Sequence, residues 1–242
     1  MLPTEKTISI ARFPILETNR QMLAARLLAD LNACRKTTLL FANTNFIVKN
    51  RGLLERLHDD AVTIVNDGVG MDIAARLLHG KAFKENLNGT DFTPYLLQQA
   101  ERPLKIFMFG GKPAVVEKAA AHARQYLGQN VVGICDGYDG LKNHPQLVEA
   151  INQTDAELVL VALGNPLQEA WILDHRQALQ AGIVIGVGAL FDFWAGDKPR
   201  APKLIRTLRL EWLYRLSLEP RRLLRRYTLD ILVFLQHCFK YR

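Results

Sequence analysis

Six short apolar runs punctuate the chain: TLLFAN (38–43), VTIVND (62–67), LKIFMFG (104–110), VVGICDG (131–137), ELVLVALG (157–164) and GIVIGVG (182–188). Each is dominated by Val, Ile, Leu and Phe with little apolar–polar alternation, the pattern of strands covered on both faces of a parallel sheet. Segments with helical periodicity lie at 19–34, 46–57, 70–79, 113–126, 145–152 and 166–179. This strand–helix alternation predicts an α/β fold: a Rossmann-like, mostly parallel sheet with helices on both faces, spanning residues 1–197.

The predicted strands run out into polar or glycine-containing turns: FANTN, NDGVG, FGGKP, CDGYDG, LGNPLQE and GVGALFD. In an open parallel sheet, ligands bind beyond the carboxyl ends of the strands. Glycine and asparagine also make ordinary βα turns, so one such turn says little. Six together predict a shared cleft.

Beyond residue 197 the pattern changes. Residues 198–226 hold ten Lys or Arg against Glu211 and Glu219, a net of +8, whereas the whole chain is +7. The rest of the molecule is therefore close to neutral. The basic residues are interleaved with Leu204, Ile205, Leu208, Trp212, Leu213, Leu216, Leu223 and Leu224. Residues 198–242 are thus expected to form a basic amphipathic helical appendage, suited to phosphate on one face and apolar surface on the other. Arg215, Arg222, Arg225 and Arg226 fall near one helical face by three- and four-residue spacing, with Pro220 starting a new helix between them.

Cys34, Cys135 and Cys238 show neither paired nor metal-type spacing, which points to a reducing, cytoplasmic compartment. No secretory leader is visible in MLPTEKTISIARFPIL, and no window reaches the roughly 18 apolar residues of a membrane span, so the expectation is a soluble or peripheral protein.

Asp67 is the foremost catalytic candidate. It follows the apolar run VTIV and precedes Gly68, so its carboxylate is expected at a strand end, facing the cleft as a general base. A helix N-cap is an equally good reading of the residue alone. In GNPLQE, Gly164 permits close approach, Pro166 suits a first helical turn, and the free N–H groups there can hold an anion; FGGKP, with Gly110 and Lys112, repeats the design. Neither matches Walker A, and no GxGxxG follows a strand, which disfavours dinucleotide binding and a sugar-nucleotide oxidoreductase. No Asp-X-Asp occurs and the six histidines are scattered, so no metal site is expected. A departing diphosphate would then rely on arginine, lysine and helix dipoles.

NDGVGM (66–71), NGTDF (88–92), GNPLQE (164–169), GVGALFDFWAG (186–196), RAP (200–202) and LEWLYRL, EP and R within 210–222 resemble the WecG/TagA/CpsF glycosyltransferase family, in its order, across residues 38–227. The resemblance implies an inverting transferase that needs no cofactor. It would move a sugar from a UDP-sugar donor to a polyprenyl-diphosphate-linked acceptor, peripherally, at the inner face of the cytoplasmic membrane. The family's proposed base falls on Asp67. Its pocket residues fall on Asn43 and Thr44 after the first core strand and on Gly164, Asn165 and Gln168. Asn88 and Asp91 of NGTDF, Gly110, and Arg200 of RAP join the substrate-binding set. The arginines that reach the diphosphate correspond to Arg215, Arg222 and Arg225.

Many members carry an arginine where this chain has Asn86, a departure that favours a neutral hexose donor and an exopolysaccharide product. The alternative within the family is a UDP-N-acetylmannosamine or N-acetylmannosaminuronic acid transferase. A basic nucleic-acid-binding protein is the alternative from another class, disfavoured because the charge is confined to one appendage without a recognised module. Trp212, Tyr214, Leu216 and Tyr227 also suit a lid or a homo-oligomer contact.

Overall fold

Burial in the computed structural model, which describes residues 6–142, 144–207 and 209–241, follows the apolar runs. The strands are β1 (Thr7–Ile10), β2 (Phe13–Leu16), β3 (Thr37–Ala42), β4 (Val62–Asn66), β5 (Lys105–Gly110), β6 (Asn130–Cys135), β7 (Leu158–Ala162) and β8 (Ile183–Gly186). Every residue of β3, β4, β7 and β8 is buried. Among the described residues they form one eight-stranded sheet in the order β1-β2-β4-β3-β8-β7-β5-β6. Only β1 and β2 pair antiparallel.

Alternate residues of the central strands feed two cores. Leu40, Ala42, Ile64, Val159, Val161 and Val184 face one side, with Trp171 and Ile172 of the helix Leu167–His175. Leu39, Phe41, Val65, Ile106, Leu158, Leu160 and Ile185 face the other, with Val115 and Ala119 of the helix Pro113–Leu127. Two apolar faces leave no polar face to alternate with, which is why the runs read as continuous. The chain leaves β3 for β4 on one side and later crosses to β5 on the other, so β3 and β8 meet mid-sheet and the crevice opens at their carboxyl ends.

Three departures from the expected elements bear on the site. The β1–β2 hairpin was not predicted. The segment 46–57 is a helix Thr44–Lys49 followed by a 3₁₀ helix Arg51–His58, and NGTDF opens a helix, Gly89–Gln99.

The basic segment folds into four helices, Lys203–Thr207, Glu211–Leu218, Pro220–Tyr227 and Leu229–Lys240. The last of these is integrated with the sheet domain: Phe234 and Cys238 are 2% exposed within the first core, and the helix packs on Thr44–Lys49. Arg51 stacks 3.6 Å from the centre of the Tyr241 ring. Among the described residues, no helix is long and apolar enough to cross a membrane.

Candidate active site

Directly after β3, Asn43 caps the helix Thr44–Lys49 with its extended backbone and side chain, its Oδ1 accepting the Phe46 N–H at 3.1 Å. The same amide reaches sideways: Nδ2 donates to Asp67 Oδ2 at 3.2 Å. Asp67 follows β4, with its N–H bonded to the Ala42 carbonyl at 2.7 Å. It does not cap the next helix; Gly68, at φ +90°, holds that place, its N–H donating to Asn86 Oδ1 at 2.6 Å. Of the two readings open for Asp67, the cap is thus removed. Gly70 explains why Thr44 belongs here: a Cβ on Gly70 would stand 2.4 Å from Thr44 Cγ2, so the first turn of Val69–His79 closes directly on Thr44.

Asp67 is half-buried. Burial raises its pKa above the ordinary aspartate value and outweighs the Asn43 hydrogen bond and the nearby charges of Arg215 and Arg226, which favour the ionised form. Arg226 Nη2 also donates to Asn43 Oδ1 at 3.3 Å. Arg215 pairs with Glu211 at 2.7 Å, its guanidinium 5.0 Å from the centre of the Phe193 ring. A carboxylate, an amide and two tail arginines therefore converge at the ends of β3 and β4.

Across the crevice, the turn after β7 contains Gly164 at φ +74° and a cis Asn165–Pro166 bond. Gln168 is 3% exposed. Its Oε1 accepts the Gly188 N–H at 2.9 Å and its Nε2 donates to Glu169 Oε1 at 3.0 Å. With its NH2 turned inward, Asn165 donates to Glu169 Oε1 and Oε2 at 2.6 and 3.0 Å. Burial pushes Glu169 up to about 7, against the lowering effect of its own backbone N–H, Gln168 and Asn50. Gly110, at φ +126°, has a backbone reason to be glycine: a Cβ there would lie 2.3 Å from the Ala162 carbonyl oxygen.

The remaining predicted residues divide. Asn88 caps the helix Gly89–Gln99 and donates to Asp91 Oδ2 at 2.8 Å. Asp91 receives Arg200 at 2.5 Å and faces Arg206 at 3.6 Å; burial raises it, but Asn88 and these arginines hold it below the ordinary aspartate range. Arg209 pairs with buried Asp72 at 2.5 Å, and Lys198 with Asp192 at 3.0 Å. Arg200, Asn88 and Asp91 thus share a clasp that ties the tail to the core. Arg225 is exposed on the helix Pro220–Tyr227, and the side chain of Arg222 lies outside the described residues.

Sequence reading did not select Glu169, Asn50 or Asp72. Glu169 lies inside a quoted motif, but a first-turn glutamate reads as a solvated partner of the helix dipole. Among the described residues, no group of three or more His, Cys, Asp or Glu is arranged to hold a metal ion. Two shallow grooves, around Asn152 and Gln180 and around Lys36 and Asp59, sit at the amino ends of the strands, away from the Asp67 group.

A carboxylate whose pKa is raised is a stronger proton acceptor than an ordinary aspartate, and neighbouring arginines can hold an anion. The model of the glycosyl transferase WecG/TagA/CpsF family matches residues 8–242, spanning the sheet, the strand-end turns and the basic tail. The chain belongs to the WecG/TagA/CpsF family of glycosyltransferases.

Proposed function

We propose that the protein is an inverting transferase that moves a hexose from a UDP-sugar to a polyprenyl-diphosphate-linked sugar, forming a β-glycosidic bond in exopolysaccharide or another cell-surface polysaccharide. The observation that carries this reading is the placement of Asp67 at a strand end, half-buried and beside Arg215 and Arg226. Asp67 accepts the proton of the acceptor hydroxyl as that oxygen attacks the anomeric carbon from the face opposite the departing group. The bond from that carbon to the diphosphate breaks, and UDP leaves with the electron pair. Asn43 holds the carboxylate in place. Tail arginines and the helix start after Gly164 meet the charge that develops on the diphosphate.

The chain carries no Asp-X-Asp, so cationic side chains take this electrostatic role in the proposal. Leu204, Leu213, Leu224, Leu229, Leu232 and Phe239 are exposed on the basic helices, which suits a surface resting peripherally on the inner leaflet. Each well-placed Lys or Arg adds about 1 kcal/mol of attraction to anionic lipid.

The test is to incubate the protein with a panel of UDP-hexoses and UDP-N-acetylhexosamines and polyprenyl-diphosphate-linked acceptors, and to identify the product by mass and linkage. A β-linked hexose on the lipid-linked acceptor is expected. An N-acetylhexosamine product would favour the N-acetylmannosamine-type alternative; no transfer from any UDP-sugar would overturn the reading.

A further inference from the structure

Glu169 is 1% exposed although it stands in the first turn of the helix Leu167–His175. Carboxylates at that position ordinarily face water. Its Oε1 instead accepts from Gln168 Nε2 at 3.0 Å, and with the Asn165 NH2 turned inward both oxygens accept from that amide, at 2.6 and 3.0 Å. Gln168 Oε1 completes a chain of contacts to the Gly188 N–H. Asn50, fully buried at the end of Thr44–Lys49, lies against the same carboxyl, and among the described residues its amide atoms reach no well-formed partner. One carboxyl therefore joins segments that follow β3, β7 and β8.

Burying such a cluster is a poor way to gain stability, because each polar group must be desolvated and then satisfied. It does accomplish something an apolar contact would not. Asn and Gln amides have two ends of similar shape, and the hydrogen-bond partner decides which end points where. When ionised, the carboxylate only accepts, and it turns the NH2 groups of both amides inward. That fixes Gln168 Oε1 on Gly188 and leaves Asn165 Oδ1 turned away from Glu169. There is little freedom to repack, since a Cβ on Gly186 would already lie 2.5 Å from Gln168 Nε2.

We propose that Glu169 is a positioning residue that sets the amide orientations of Asn165 and Gln168 and so shapes the turn that receives the diphosphate of UDP. This rests on the reading of that turn as part of the donor site. Glu169 itself need not touch the nucleotide; it acts through its two amide neighbours. Glu169→Gln keeps the volume but sets a donating NH2 against one of those NH2 groups, so one amide must turn over.

UDP binding is measured by calorimetry on the full chain, the Glu169→Gln and Gln168→Ala variants and the double variant, with a melting curve for each. Each single variant is expected to raise the UDP Kd roughly tenfold, the scale of one hydrogen bond involving a charged group. The double variant should be no weaker than the worse single one, and Glu169→Gln should melt no lower than the parent near neutral pH. Fold-changes that multiply in the double variant overturn the proposal, as does an unchanged Kd in Glu169→Gln or one that tracks a lowered melting point. An unchanged Kd in Gln168→Ala removes the donor-site reading, and with it this inference. A weakened Gln168→Ala beside an unaffected Glu169→Gln removes this inference alone.

Discussion

Replacing Glu169 by Gln makes a pH-dependent prediction whose size follows from burial. The glutamate sits at about 7 in the folded protein against an ordinary 4.5, because desolvation disfavours its charged form. Between those two values the folded chain keeps a proton that the unfolded chain releases, so stability falls as pH rises through the interval and levels off above it. At about 1.4 kcal/mol per pH unit, the full effect is about 3 kcal/mol. Gln does not titrate. Relative to the parent, Glu169→Gln should therefore gain about 2–3 kcal/mol between about pH 5 and about pH 8, which in a chain of this size is roughly 5–10 °C in Tm. Any constant loss from the altered amide contacts cancels in that difference, and so does Asp67, whose pKa is also raised but which both proteins share. Thermal or urea unfolding of both proteins at the two pH values gives the result. A gap that does not change with pH would refute the buried, reluctantly ionised carboxyl.

Gly110→Ala should fold poorly or lose more than about 2 kcal/mol, since a left-handed backbone and a 2.3 Å approach to the Ala162 oxygen both oppose a Cβ; urea unfolding reads this directly. Phe234→Ala should cost about 3–5 kcal/mol, as in a core residue, although it lies in the tail; a loss under about 1 kcal/mol in the same assay would mean that the last helix is a surface appendage.

The sheet was legible because five of the predicted strands, β3, β4, β5, β7 and β8, are buried on both faces and therefore carry uninterrupted apolar runs. The β1–β2 hairpin was not. Its turn places Ala11 and Arg12 at φ +51° and +69°, where glycine or asparagine would announce themselves. Distant contacts hold it instead: Arg51 Nη1 donates to the Ala11 carbonyl at 2.6 Å, and His58 Nε2 lies 2.9 Å from the Arg12 carbonyl. The strand-end position of Asp67 was legible from the apolar run before it, whereas the burial of Glu169 was not, because it depends on Asn50, Asn165 and Gln168 meeting from separate turns.

The tail shows how far spacing carries. Backbone geometry at Glu219, φ −131° and ψ 58°, breaks the helix before Pro220, so the angular phase set by Arg215 does not extend to the next helix. Arg226, which spacing grouped with Arg215, Arg222 and Arg225 but the family resemblance left out, reaches Asn43. The clasp was equally hidden: Asp72 and Asp91 lie more than a hundred residues from Arg209 and Arg200 in sequence. Part of the basic stretch thus anchors the tail through these acids, and part stands by the Asp67 carboxylate.

The central claim is that Asp67 removes the proton from the attacking hydroxyl, and Asp67→Asn tests it most directly because the amide keeps the shape and loses the base. Single-turnover sugar transfer, measured beside UDP binding and a melting curve, should slow about 10²- to 10⁴-fold with UDP affinity little changed. The parent rate should fall as pH drops through the raised pKa of Asp67. A folded Asp67→Asn protein that transfers sugar at close to the parent rate would contradict the account.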